Sequence, residues 1–162
     1  MPLLQIRNLS VAYHTQRGTV HAVDHVSLDV EQTQHLGIIG ESGCGKSTLM
    51  RALVRVLPPN GQIVSGEIIF KGQNLLALSE NEMRQLRWQE IATIPQASMD
   101  SLNPVKKVGQ QLEQVMTVRG KYDRAAARSR AVDLFDLVGL DVKRLEHYPH
   151  EFSGGMKQRA II

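Results

Sequence analysis

The amino-acid sequence predicts an α/β fold, in which strands lie towards the N-terminus and helices make up most of the second half. Three patterns predict this class. Residues 3–13 and 20–30 are strand-length and rich in β-branched side chains. A short apolar run at residues 35–39 leads through a glycine-rich loop into a segment with helical spacing. Apolar residues recur at helical spacing again from residue 107 onward.

The predicted strands follow from local composition. A turn at Arg17 and Gly18 separates the first two segments, which predicts a pair of antiparallel strands. The run at residues 35–39 is short and mainly apolar, which is typical of a buried parallel strand. Residues 66–71 and 91–94 predict two further strands.

The predicted helices follow from spacing and from capping residues. They lie at residues 47–57, 79–90, 107–119, 123–138 and 141–147, with a last one beginning near Met156. Ser79 and Glu82 form a capping box, and Pro58 ends the first helix. Gly139 followed by Leu140 predicts a Schellman-type helix end. The fourth helix carries one apolar stripe, which consists of Ala127, Ala131, Leu134, Phe135 and Val138.

Composition restricts the class of protein. Of the 162 residues, 42% are apolar and 22% are charged, which is typical of a globular domain. No apolar run is long enough to span a membrane and residues 1–10 lack the features of a signal peptide, so a cytoplasmic location is predicted. The net charge is +3 and the basic residues are scattered, so nucleic acid is not an expected partner.

The loop from Gly40 to Thr48 reads GESGCGKST and matches the G-x4-G-K-S/T pattern of a phosphate-binding loop. Its glycines let successive backbone N–H groups point at a phosphate, and the helix that follows adds positive potential. Lys46 supplies a charge for the β- and γ-phosphates, and the Ser47 hydroxyl is placed to coordinate Mg²⁺. A glycine turn with an incidental lysine would need neither the strand before it nor the helix after it. The sequence therefore predicts ATP and Mg²⁺ as ligands, bound by Gly40, Glu41, Ser42, Gly43, Cys44, Gly45, Lys46, Ser47 and Thr48.

A second glycine-rich turn lies at residues 152–159, which read FSGGMKQR. Here Ser153, Gly154 and Gly155 precede another helix, and this arrangement offers a further set of N–H groups to an anion. One nucleotide does not need two such sites on one chain. Together, GESGCGKST, a glutamine at Gln96 after a short strand, and SGGMKQR resemble the nucleotide-binding subunits of ABC transporters.

The resemblance implies a P-loop NTPase lobe of the ABC ATPase type, with an N-terminal antiparallel β subdomain and an inserted α-helical subdomain. Residues 1–98 would form the RecA-like and antiparallel β lobe, with the Walker A motif and the Q-loop. Residues 99–162 would form the α-helical subdomain with the signature motif. The sequence contains no Asp-Glu pair. The part of the family's domain that carries Walker B, the D-loop and the H-loop is therefore expected to be absent, and the chain alone is expected to bind nucleotide weakly and not to hydrolyse it.

In ABC transporters two such subunits face each other head to tail, and each ATP lies between them. The resemblance implies that Ser153, Gly154 and Gly155 hold the γ-phosphate that is bound to the partner's Lys46. It also implies that Gln96 is a catalytic residue that reaches Mg²⁺, and that Tyr13 stacks on adenine. A surface position in a loop is the alternative for Gln96, and a half-buried strand tyrosine is the alternative for Tyr13.

Two further segments indicate one branch of the family. SLNPV at residues 101–105 and YPHEFSGGMKQR at residues 148–159 resemble the oligopeptide, dipeptide and nickel importer subunits. Residues 95–99 read PQASM, where Phe-Gln-Asp-Pro-Met is more usual in that branch. The resemblance implies ATP-driven peptide import, transmembrane permease subunits that contact residues 97–105, and a position on the inner face of the cell membrane.

Two alternatives stay open on the sequence. One is a non-catalytic nucleotide-binding or interaction module, which the coding sequence beyond Ile162 would distinguish. The other is a soluble ABC ATPase of the DNA-repair or translation type, which shares the loop and the signature but lacks the SLNPV segment. Co-purification with membrane subunits would exclude the second alternative.

Overall fold

The computed structural model describes residues 1–94, 101–119 and 122–162. The chain forms two compact units, Met1–Arg87 and Trp88–Ile162. The boundary predicted after residue 98 stays a prediction, because residues 95–100 lie outside the described residues. Within the described part of the chain, no helix is both long and apolar enough to cross a lipid bilayer.

The first unit is built on an antiparallel sheet of four strands. These are β1 (Leu4–Thr15), β2 (Gly18–Val30), β3 (Gly61–Phe70) and β4 (Gln73–Asn74), and their order in the sheet is β2-β1-β3-β4. The predicted antiparallel pair at the N-terminus is confirmed, with Thr15 opposite Gly18 across the turn. β3 begins five residues before its predicted start, because the backbone from Gly61 onward pairs with β1, and Tyr13 lies opposite Gly61.

The core of the first unit is built around β1. β1 is the most buried strand, with Ile6 and the run from Leu9 to Ala12 all buried. The helix that follows the glycine loop contacts both β1 and β2. The buried apolar side chains of this unit are Ile6, Leu9, Val11, Ala12, Val23, Leu49, Ala52, Val54, Ile68, Phe70, Leu75, Leu78 and Met83.

The prediction of a strand at residues 35–39 is wrong. These residues have no regular secondary structure, and the side chains of Leu36, Ile38 and Ile39 are exposed, Ile39 by 98%. A buried parallel strand needs neighbours on its edges and cover on both faces. The described sheet is antiparallel, and none of its strands pairs with this run. The strand predicted at residues 91–94 is reduced to a single bridge residue, Ile91.

Two helices belong to the region around this sheet. α1 (Lys46–Leu53) ends four residues before its predicted end, because Arg55 has a positive φ of 54° and the chain turns there. The Arg87 guanidinium donates from Nε to the Val54 carbonyl at 2.9 Å, which holds this turn in place. α2 (Glu80–Gln89) begins at the predicted capping box. Its Ser79 N–H donates to the Glu82 carboxylate at 2.8 Å, and the Glu82 N–H donates to the Ser79 hydroxyl at 3.3 Å.

The second unit is helical, as predicted. It contains α3 (Val108–Arg119), α4 (Arg124–Leu137), short 3-10 turns at Val142–Glu146 and Pro149–Glu151, and α5 (Gly154–Ile161). The Schellman end of α4 is confirmed, because the Leu140 N–H donates to the Phe135 carbonyl at 2.8 Å and Gly139 has a φ of 67°. The core of this unit consists of Val108, Ala131, Phe135, Leu140, Leu145, Phe152 and Ala160.

A group of charged side chains joins the elements of the second unit. Lys107 contacts Glu146 at 3.0 Å, and Arg128 bridges Glu146 and Glu113. The hydrogen bond from Lys107 and then the one from Arg128 lower the pKa of the Glu146 carboxyl below its ordinary value of 4.5. The carboxylate is therefore ionised at neutral pH and links α3 and α4 to the 3-10 turn that follows them.

Candidate functional site

The glycine loop leads from residues 35–39 into the first turn of α1. Gly45 is the N-cap residue of α1 and has a left-handed φ of 98°. A Cβ atom at Gly45 would lie 2.1 Å from the Ala22 carbonyl oxygen, so the loop backbone runs directly against β2. At Gly40, a Cβ atom would lie 2.7 Å from the Cys44 sulfur. The loop is therefore compact: Gly45 has no room for a side chain against the β2 backbone, and a side chain at Gly40 would displace the Cys44 thiol.

The start of α1 carries backbone N–H groups that no side chain caps. The first hydrogen bond into the helix is from the Leu49 N–H to the Gly45 carbonyl at 2.9 Å, so the N–H groups of Lys46, Ser47 and Thr48 have no acceptor within the helix. Gly45 makes no side-chain cap, and the first turn contains no acidic residue. The helix dipole adds to these N–H groups, and together they create a region of positive potential that suits an anion.

The Lys46 ammonium lies against the same loop. Its Nζ donates to the Gly40 carbonyl and to the Glu41 carbonyl, each at 2.6 Å, and is 3.4 Å from the Cys44 sulfur. Ser47 is exposed on the first turn of the helix, whereas Thr48 is buried. The structure therefore brings together the lysine, the exposed hydroxyl and the uncapped N–H groups, which are the features that the sequence predicted.

Tyr13 lies next to this loop, at the end of β1. Its hydroxyl is 3.1 Å from the Thr48 hydroxyl, and the two groups share a hydrogen bond. A Cβ atom at Gly61 would lie 2.7 Å from Cε1 of the Tyr13 ring, so one part of the ring packs closely on β3. The side chain is half-buried. These contacts place Tyr13 beside α1, and stacking on adenine stays a prediction.

The serine and glycines of the second motif begin α5. Ser153 is the N-cap residue, and its hydroxyl accepts a hydrogen bond from the Met156 N–H at 3.3 Å. Gly154 and Gly155 are exposed on the first turn, and apart from its chain neighbours and the backbone of its own helix no atom lies within 4 Å of the position that a Gly155 Cβ would occupy. The start of α5 is therefore accessible, and its role in phosphate binding stays a prediction.

A tight turn holds the chain just before Ser153. The Glu151 carboxylate accepts a hydrogen bond from the Tyr148 N–H at 2.6 Å and lies 3.1 Å from Nδ1 of His147. The Tyr148 N–H, and after it the nearby His147, His150 and Arg144, lower the pKa of the Glu151 carboxyl. Phe152 is buried in the core of the second unit and anchors the end of this turn.

The remaining predicted site residue, Gln96, lies outside the described residues, as do residues 97–100 of the predicted permease contact. The described part of that contact ends at Val105, whose side chain is 77% exposed. A groove of about 420 Å³ continues from it along α3. Sequence reasoning missed this surface, and its only signal was the pair of valines that α3 exposes among polar residues. The groove is lined by Asn103, Lys106, Gln111, Gln114, Val115 and Val118.

The described residues contain no group of three or more His, Cys, Asp or Glu side chains that could hold a metal ion. The exposed Ser47 hydroxyl on the first turn of α1 still suits Mg²⁺. Mg²⁺ in nucleotide sites commonly takes few protein ligands and completes its shell with phosphate oxygens and water. The residues present at this site therefore fit Mg²⁺ bound together with a nucleotide.

Comparison with solved structures supports the predicted fold. The chain superimposes on the dimeric structure of MJ0796, a bacterial ABC transporter cassette, with a TM-score of 0.83 at 23% sequence identity. The superposition covers 98% of this chain and 67% of that cassette. The predicted ABC ATPase fold is confirmed.

Comparison with curated sequences supports the predicted branch. The oligopeptide transport ATP-binding protein OppD of Bacillus subtilis (strain 168) is 43% identical, over 99% of this chain and 46% of its own length. The dipeptide transport ATP-binding protein DppD of Caldanaerobacter subterraneus subsp. tengcongensis is 38% identical, over 99% of this chain and 50% of its own length. The chain thus spans about half the length of the curated relatives that it matches. A model of the family described as ABC transporter matches residues 23–162, and on this evidence the chain belongs to the ABC transporter family.

Proposed function

We propose that this chain is the nucleotide-binding part of an ATP-driven peptide importer. The observation that carries the proposal is the start of α1. There, N–H groups without a side-chain cap, the Lys46 ammonium and the exposed Ser47 hydroxyl lie together. A triphosphate matches this arrangement, because it presents several negatively charged oxygens to N–H donors and to a point charge.

In this proposal the backbone from Gly40 to Thr48 surrounds the β-phosphate. Lys46 exchanges its contacts with the Gly40 and Glu41 carbonyls for contacts with the β- and γ-phosphate oxygens. Ser47 would hold Mg²⁺, which neutralises negative charge on those oxygens when it is bound. Gln96 would contact the same ion, and Tyr13 would contact the adenine ring. The Tyr13 hydroxyl also shares a hydrogen bond with the Thr48 hydroxyl, so the residue that would contact adenine is joined to the first turn of α1.

The contacts to the opposite side of the nucleotide would come from another subunit. Ser153, Gly154 and Gly155 present the accessible end of α5, and the space beside Gly155 is open to a phosphate. A head-to-tail pair of subunits would bring this end to the partner's Lys46. The proposed site is complete only when both copies contribute to it.

The single cysteine, Cys44, gives a direct test of nucleotide binding. Its thiol is exposed and lies 3.4 Å from Nζ of Lys46, inside the loop that would surround the phosphates. We expect saturating Mg-ATP to slow alkylation of Cys44 by iodoacetamide, because bound phosphates would cover the loop. Adenosine is the matched control, since it lacks phosphates and should leave the rate unchanged. An alkylation rate that Mg-ATP does not change would argue against the proposed site.

The same sample also addresses hydrolysis. We propose ATPase activity for the complete subunit and binding without turnover for the 162-residue chain alone, because its sequence contains no Asp-Glu pair. Water activation in phosphoryl transfer needs a positioned polar or acidic group. A rate of phosphate release equal to that of a complete ABC subunit would contradict this part of the proposal.

Peptide import and permease binding are proposed from the relatives. The OppD and DppD proteins named above are ATP-binding proteins of oligopeptide and dipeptide transport. Residues 97–105 and the groove along α3 would face the permease, and the chain would then lie on the inner face of the membrane. Deletion of the gene should abolish uptake of a labelled tripeptide in the source organism and leave uptake of a labelled sugar intact. Unchanged tripeptide uptake, or loss of both, would contradict the peptide assignment.

A further inference from the structure

Arg159 connects the start of α5 to the end of α4. Its Nη1 donates to the Gly139 carbonyl at 2.8 Å and to the Val138 carbonyl at 3.3 Å. Its Nε donates to the Gly155 carbonyl at 3.4 Å. One guanidinium therefore contacts the Schellman end of α4 on one side and the first turn of α5 on the other.

The partners of Arg159 are unusual for an exposed arginine. Within the described part of the chain, all the hydrogen bonds of its side chain go to backbone carbonyls and none goes to a carboxylate. The last carbonyls of a helix have no partner within the helix, and they form the negative end of its dipole. A guanidinium suits this position, because its donors are fixed in one plane and can satisfy several acceptors together.

The contact with Gly155 reaches the segment of α5 to which the proposed function assigns the phosphate. Gly155 lies on the exposed first turn of α5, next to Gly154 and Ser153. Hydrogen bonds to a phosphate depend on the direction of the N–H groups, so a small rotation of this turn weakens them. A tie from the Gly155 carbonyl to α4 restricts such a rotation.

We propose that Arg159 is a positioning residue for the signature turn, which is the segment of Ser153, Gly154 and Gly155 at the start of α5. It would hold the N–H groups of Ser153, Gly154 and Gly155 in the orientation that receives the γ-phosphate from a second copy of this chain. The role in phosphate binding rests on the function proposed above, whereas the tie between α4 and α5 does not. Arg159 would touch neither nucleotide nor metal, and would act only through the backbone.

The test compares Arg159→Met with Arg128→Met in the full 162-residue chain. Arg128 lies in the same unit and pairs with Glu113 and Glu146, away from the signature turn, so it controls for a general loss of stability. Hydrogen exchange is measured first. We expect Arg159→Met to raise exchange at residues 139–140 and 156–157 together, and Arg128→Met to leave residues 156–157 unchanged, because the Met156 and Lys157 N–H groups are the ones bonded to Ser153. Unchanged exchange at residues 156–157 in Arg159→Met would overturn the proposal.

Association of two copies in Mg-ATP, measured by sedimentation, supplies the second readout. Arg159→Met should weaken it about tenfold, which corresponds to the loss of hydrogen bonds to a charged group. The affinity of the single chain for Mg-ATP should stay the same, since Arg159 lies in the other unit from the phosphate loop. An association constant equal to that of the unsubstituted chain would overturn the positioning role.

The variant Arg159→Lys tests whether Arg159 acts by bridging the two helices or only through its positive charge. A lysine keeps a positive charge near the end of α4 but has no planar fork to reach both helices. We expect it not to restore association, and full restoration would overturn the bridging role. If the unsubstituted chain failed to bind Mg-ATP or to associate, the function proposed above would be contradicted, and the exchange data would still decide whether Arg159 ties α5 to α4.

Discussion

Replacing Lys46 with alanine should weaken Mg-ATP binding by about 100-fold, which is the scale expected when charge-assisted hydrogen bonds to phosphate are lost. The ammonium lies within the loop, 2.6 Å from two of its carbonyl oxygens, so it needs only to rotate to reach a bound phosphate. Isothermal titration calorimetry measures the affinity directly. In the same variant, Mg-ATP should no longer slow alkylation of Cys44.

Lys106→Ala is the matched control for this prediction. Lys106 lies in the other unit and donates from Nζ to the Gln114 side chain at 3.2 Å, so its loss changes the net charge equally without touching the loop. Its affinity for Mg-ATP should equal that of the unsubstituted chain. The ratio of alkylation rates with and without nucleotide is compared within each variant, because removal of Lys46 also changes the surroundings of the thiol. Equal affinity in Lys46→Ala and Lys106→Ala would contradict the role given to Lys46.

Gly45→Ala should lower the free energy of unfolding of the first unit by about 3 kcal/mol or more, a scale typical of severe backbone strain. The new Cβ would lie 2.1 Å from the Ala22 oxygen, and Gly45 has a φ of 98° that alanine rarely adopts. Ala22 belongs to β2, whose hydrogen bonds to β1 hold its backbone in place, so the clash cannot be relieved by a side-chain movement. Urea denaturation followed by circular dichroism measures the change.

The variant Gly43→Ala separates the cost of the steric clash at Gly45 from the cost of the left-handed backbone conformation. Gly43 lies in the same loop with a φ of 85°, but a Cβ there would meet no atom within 4 Å. Only the left-handed conformation is penalised, which costs about 1 kcal/mol. The two variants should therefore differ by about 2 kcal/mol, and equal losses would show that contact with Ala22 does not restrict the loop.

Features encoded within a few residues could be predicted from the sequence. The capping box of Ser79 and Glu82 and the Schellman end at Gly139 each depend on residues within one or two turns of the backbone groups that they satisfy. The turn at Arg17 and Gly18 likewise lies between two strands that pair directly. The phosphate loop belongs to this class, because its glycines, lysine and serine are adjacent in the chain.

Features that depend on distant parts of the chain could not be predicted. The pairing of β3 with β1 joins Tyr13 to Gly61, and no local pattern encodes such a register. The end of α1 depends on Arg87, more than thirty residues away, whose Nε reaches the Val54 carbonyl. The apolar run at residues 35–39 predicts a buried strand because most of its side chains suit a core. Such a pattern describes the surroundings that a segment favours, and whether those surroundings form depends on other strands.

The same run has a consequence for handling the protein. Its backbone lies outside the sheet, and Leu36, Ile38 and Ile39 expose apolar surface to water. Exposed apolar segments outside a sheet can pair between molecules, because their amide groups and side chains gain from a common β-structure. Oligomers formed in this way would need no nucleotide and would increase with protein concentration. A dilution series without ATP therefore distinguishes association through residues 35–39 from assembly that depends on nucleotide at the phosphate loop.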